Sequence, residues 1–138
     1  MTEATVETRI WRAQRKHLEA FAGLPFVIYP GAAVGTPTAR HLRVTTIVAP
    51  PDRKYVANGM PHERRGTLQL MDCYPAADFD ANVARQLAGE LAAHFKDGTH
   101  MADGAVCLTV AAYPEVADPY QEDGWWKTPI RVRWETEA

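Results

Sequence analysis

The sequence predicts an α+β fold: a mostly antiparallel sheet of about four to five strands packed against two helices, with a long projecting hairpin or loop. Three observations point there. Two segments repeat their apolar residues at helical spacing, near the N-terminus and between Phe79 and Phe95. Several short segments alternate apolar and polar residues and are joined by direct returns, which favour antiparallel pairing. Between two of these segments lies a Pro- and Gly-bearing excursion too long for an ordinary hairpin connection. The chain has 138 residues, a length that suits one domain spanning 1–138.

The first helix is expected from about Thr5 to Phe21, with Val6, Ile10, Ala13, Leu18 and Phe21 as its buried stripe. Glu3 and Glu7 precede Arg9, Arg12, Arg15, Lys16 and His17, an order that suits the helix dipole. Trp11 lies off the stripe, so either a neighbouring loop of the chain or another subunit packs it. Pro25 to Pro30 reads as a short apolar strand bracketed by prolines. The loop Gly31–Pro37 has two glycines but no lysine to reach a phosphate, so it reads as a connection. His41 to Ala49 is the next strand, with Leu42, Val44, Thr46 and Val48 on one face.

The excursion follows, from Pro50 to Glu63. Asn58-Gly59 is a turn signal, so this stretch reads either as a protruding hairpin or as a solvated loop. As a hairpin it would carry Tyr55, Val56 and Met60 beside Arg53 and Lys54. Large apolar side chains on a projection suggest a partner surface.

The unit from Gly66 to Phe95 organises the rest. Thr67 to Tyr74 is a strand with Leu68 and Leu70 on one face, and Pro75 stops it. Asp78 is placed to cap the helix Phe79–Phe95. Phe79, Val83, Leu87, Leu91 and Phe95 form its stripe, with Ala84, Ala88 and Ala92 beside them, small enough for close approach to a sheet. Gly98 suits the left-handed position after the helix. Thr99 to Gly104 reads as a turn, Ala105 to Ala112 as a strand, and Pro114 to Gly124 as an acidic loop. The final strand runs from Trp125 to about Glu135, with Trp126, Ile130, Val132 and Trp134 on one face and Lys127, Arg131 and Arg133 on the other. Pro129 within it argues for an edge or a bulge, and the alternating cations for a guarded edge.

Composition excludes little. The formal net charge of -2 and the 46% hydrophobic content are those of an ordinary globular chain. No apolar run approaches the ~20 residues needed to span a bilayer. The opening Met1-Thr2-Glu3 is not a signal peptide, so a reducing cytoplasm is expected. Cys73 and Cys107 then read as free thiols, with a disulfide between neighbouring strands as the alternative. The five histidines show no His-Glu-x-x-His spacing and the cysteines no Cys-x-x-Cys pair. A carboxylate at Asp72, a thiol at Cys73 and an imidazole at His94 are the candidates for chemistry in the central unit, and nothing local pairs them. Arg40, Arg43, Arg53, Lys54, Arg64 and Arg65 gather charge around one hairpin, without an aromatic stacking platform. An acidic neighbour such as the stretch Glu115–Asp123 of another copy would complement that charge.

This order of elements resembles the tail terminator (tail completion) proteins of long-tailed phages. The N-terminal helix, the Pro25-Phe26-Val27 strand and the two strands flanking the excursion carry the resemblance. So do the helix Phe79–Phe95 and the ending from Gly124-Trp125-Trp126 to Arg133-Trp134. It covers nearly the whole chain. The resemblance implies a structural virion protein and no enzyme, without catalytic residues, cofactor or metal. It implies a homohexameric ring that caps the tail tube, ends its polymerisation and offers the surface on which the filled head docks. Its partners would be further copies of itself, the tail tube protein and a head-completion or connector protein. DNA would pass through the lumen without sequence-specific binding, and no membrane would be bound. Its place would be the virion tail, assembled in the host cytoplasm. Pro51–Pro61 would be the projecting arm by position. Exposure and chemistry then make Trp11, Arg53, Lys54, Tyr55, Val56, Met60, Arg131 and Arg133 the expected subunit or tube contacts. Three alternatives remain: another head–tail connector or neck protein, a small binding adaptor using its basic hairpin, and a small enzyme around Asp72, Cys73 and His94.

Overall fold

The computed structural model describes residues 3–32, 37–52 and 61–138. Two helices, α1 (Val6–Glu19) and α2 (Ala81–His94), accompany an eight-stranded sheet. Its strands are β1 (Phe26–Ile28), β2 (His41–Val48), β3 (Glu63–Pro75), β4 (His100–Asp103), β5 (Val106–Val110), β6 (Glu115–Val116), β7 (Tyr120–Glu122) and β8 (Trp125–Glu137). The spatial order is β1-β2-β3-β8-β5-β4, with β6 and β7 also pairing β8. Among the described residues only β1 with β2 is parallel. The class is α+β as expected, with more strands than the alternation suggested.

The additional strands are short. β4 occupies Thr99–Gly104, read as a turn, and β6 and β7 lie in the acidic loop. Pieces of two to four residues offer too few alternations for period-two reading to separate them from loop. The larger correction concerns β8, which is an interior strand and not an edge. It pairs β3 along its whole length and β7, β6 and β5 on the other side. Pro129 is accommodated because its carbonyl accepts from Ala117 N at 3.0 Å. Its nitrogen therefore faces the gap between β6 and β7, where the ladder lacks a partner.

Both helices lie on one face of the sheet. That face presents Leu42, Val44, Leu68, Leu70, Ile130, Val132 and Trp134, all buried. α1 begins at Thr5, whose hydroxyl accepts from Thr8 N, and buries Ile10, Ala13, Gln14 and Leu18. α2 is capped by Asp80, not Asp78, since Asp80 accepts from Asn82 N and Val83 N. The later start leaves Phe79 and Val83 more than a third exposed. Ala84, Leu87, Ala88, Leu91 and Ala92 form the buried face, so the alanines bring α2 onto the sheet. Beneath the core, a Cβ on Gly66 would lie 2.5 Å from the Trp134 ring and 2.6 Å from Ile47 O. Glycine at this position lets the indole of the opposite strand lie flat.

Candidate functional site

The side chains capable of chemistry are kept apart. Successive strand residues point to opposite faces, so Asp72 faces the helices and Cys73 the open face. Asp72 is fully buried, and neither carboxylate oxygen has a partner among the described residues. Burial pushes its pKa up to about 8, against a smaller opposing pull from Arg40. Thr128, directly across on β8, is also buried with its hydroxyl unpartnered. Burial, then the Asp72 charge, raises the Cys73 thiol to about 11, the opposite of an activated nucleophile.

His94 is engaged elsewhere. Its Nε2 donates to His17 O at 2.5 Å, and His17 Nε2 donates to His94 O at 2.7 Å. The two rings stack at 4.1 Å and 18°, clasping the ends of α1 and α2. His100 instead meets Thr109 Oγ1 at 3.2 Å. Among the described residues no three metal-ligating side chains converge, and no helix is long and apolar enough to cross a membrane. Both cysteines are free, and Cys107 is exposed.

What remains is surface. The sheet face away from the helices carries His41, Arg43, Thr45 and Ile47 on β2, and Thr67, Gln69, Met71 and Cys73 on β3. Lys127, Pro129, Arg131 and Arg133 continue it on β8. Arg133 pairs Glu115 at 2.9 Å and Lys127 pairs Glu122 at 2.8 Å. The acidic stretch thus neutralises cations of its own chain. Arg43 and Arg131 have no ion-pair partner among the described residues.

Of the expected contact residues, Arg131 and Arg133 are exposed on this open face. Trp11 is half-buried and packs edge-on against Tyr29 at 5.8 Å. Tyr29 is held in turn by Glu19 at 2.8 Å and by the Arg15 guanidinium over its ring at 4.2 Å. Tyr29, just after β1, is therefore one neighbour of the indole within the chain. Arg53, Lys54, Tyr55, Val56 and Met60 lie outside the described residues. The base of their excursion is paired, with Asp52 and Glu63 exchanging N–H···O bonds of 2.8 and 2.9 Å.

One surface escaped the sequence reading. β1 covers β2 only over His41–Arg43. Beyond it, Val44-Thr45-Thr46-Ile47-Val48 runs uncharged and β-branched throughout. Ile47 is 57% exposed on the open face and Val48 58% exposed on the face of the helices. The unbroken β-branched run was the available signal.

A family model described as phage tail terminator protein matches residues 9–134. The chain is also similar to a solved protein structure of 22% sequence identity, with a TM-score of 0.77 over 98% of each chain. At that identity the likeness is one of fold. No curated protein matches the sequence.

Proposed function

Because the chain belongs to the phage tail terminator family, and so has a structural role in a phage tail, we propose that it forms a ring capping the tail tube. In this reading the ring is a homohexamer, ends tube polymerisation and offers the docking surface for the filled head. The family match carries the reading, since residues 9–134 take in nearly every element from α1 to β8. The described side chains support binding over catalysis. Asp72 is sealed in the core, Cys73 holds its proton, and His94 is spent on joining two helices. The chain's own copies, the tail tube protein and the head connector are the partners, with DNA passing through the lumen.

The test is genetic and visual. Particles made without this protein, viewed by negative-stain microscopy, should carry tails of uncontrolled, mostly excessive length and lack joined heads. Supplying the chain in trans should restore both. Tails of normal length joined to heads in its absence would refute the reading.

A further inference from the structure

Two of the sheet's open edges lie at its opposite ends and are unlike. Ala49 N donates to Arg65 O at 3.0 Å. In the register of β2 with β3, odd-numbered residues therefore aim their backbone groups at β3 and even-numbered ones aim outwards. Thr46 and Val48 lie beyond the cover of β1, and their outward N–H and C=O groups have no partner among the described residues. At the other end, Val110 N donates to Thr99 O at 2.9 Å. Met101 and Asp103 accordingly face β5, while His100 and Ala102 aim outwards, again without a partner among the described residues.

Natural edges are usually guarded by charge, proline or a bulge. Val44–Val48 has none of these, and its composition is that of a strand awaiting a neighbour. A backbone row of this kind is satisfied by another strand and by little else. The chain itself supplies a free strand edge at the opposite end of the same sheet.

We propose that the β2 edge, Val44–Val48, pairs with the β4 edge, His100–Asp103, of a second copy, so that the sheet continues from subunit to subunit. This rests on the ring reading above and names the surfaces that make the ring. A contact between unlike edges is head-to-tail, and such contacts close into rings when the rotation per step allows. Ile47 and Val48 are then buried at the joint.

The experiment uses the full chain and separates the two edges. Thr46→Pro removes an outward N–H while leaving the β3 ladder intact, and Ala102→Pro does the same on β4. Val48→Lys adds charge to the edge without touching the backbone, which keeps the test valid where a proline variant fails to fold. Oligomers seen by sedimentation velocity should be lost in all three, with near-native circular dichroism. Cysteine trapping then identifies the partner, in a Cys107→Ser background because Ala102 lies opposite Cys107 in the β4–β5 ladder. Ile47→Cys mixed with Ala102→Cys, both on the open face, should form a disulfide-linked heterodimer, and neither variant alone should cross-link.

Dimers from Ile47→Cys alone would overturn the head-to-tail pairing in favour of a two-fold contact. Folded Val48→Lys protein that assembles like the unsubstituted chain would overturn the edge as interface while leaving the ring intact. An unsubstituted chain that stays monomeric at millimolar concentration would overturn self-pairing. The ring reading would still be decided separately, by the tail lengths above.

Discussion

Asp72→Asn should change the pH dependence of stability more than any other single substitution in this core. Asp72 is 0% exposed, and both its oxygens lack partners among the described residues. Its pKa rises from 3.8 to about 8 because burial disfavours the charged form. The folded pKa lies above the unfolded one, so stability is fully present below about pH 4 and is lost as pH rises towards about 8. At about 1.4 kcal/mol per pH unit, folding is weakened by about 4 kcal/mol at pH 7 relative to pH 4. Asparagine removes that slope. Its amide brings its own unpaired N–H groups, at a cost of about 1–3 kcal/mol that does not vary with pH. The decisive quantity is therefore the difference in slope, and not stability at one pH. Urea denaturation of both proteins at pH 4.5, 6, 7 and 8 measures it. The gap should move by about 4 kcal/mol in favour of Asp72→Asn between the ends of this series. His17 and His41, both held below the ordinary histidine value by burial, are common to both proteins and cancel. Parallel curves for the two proteins would refute the reasoning, since they would mean that the carboxyl ionises normally and has found water or a cation.

The histidine clasp gives a second pH signature of opposite sign. Burial, opposed by the hydrogen bond to His94 O and reinforced by the His94 charge, holds the His17 pKa below the ordinary 6.5. Its contribution is thus complete above pH 6.5 and lost as pH falls through the folded pKa, which NMR titration of the ring protons would locate. His94→Ala should destabilise by about 1–3 kcal/mol through the lost bond, the lost stack and the orphaned His17 carbonyl, as read by thermal denaturation at pH 7.5. A neutral His94→Ala would show the clasp to be ornamental. At the other end of α2, Asp80→Ala should cost about 1 kcal/mol while Asp78→Ala stays near zero. Chemical denaturation of the two variants side by side checks which of them caps the helix.

The sequence revealed what local periodicity can reveal. α1, α2 and the strands containing Leu68–Leu70 and Ile130–Trp134 were legible because their apolar residues recur over enough positions to fix a period. The alternation Lys127, Arg131, Arg133 was also read correctly as an outward face. The start of α2 was misplaced because Asp78 and Asp80 both satisfy the capping rule. Only the backbone turn after Pro75, where Phe79 N donates to Pro75 O at 3.1 Å, decides between them. The stacked histidines were illegible because they come from residues 77 positions apart, and no spacing rule reaches across that distance. Likewise the depth of Asp72 depends on α2 lying over the sheet, which its own strand does not announce.

The misreading of β8 has the most to say about function. Alternating cations and a proline are the usual guards of an edge, yet here they sit on an interior strand. Its cations project from an open face, two of them onto glutamates of β6 and β7, and its proline faces a break in the ladder. The true edge beyond β1 carries valine, threonine and isoleucine, with no guard among the described residues. A chain that puts guarding residues where pairing is already complete, and none where it is open, has not been shaped to stay apart at that edge. For a member of a structural tail family, this inversion is what assembly through the sheet requires. Charging the β2 edge should then yield a well-folded chain that no longer associates, whereas reversing Arg131 or Arg133 should disturb the open face and leave sheet continuation in place.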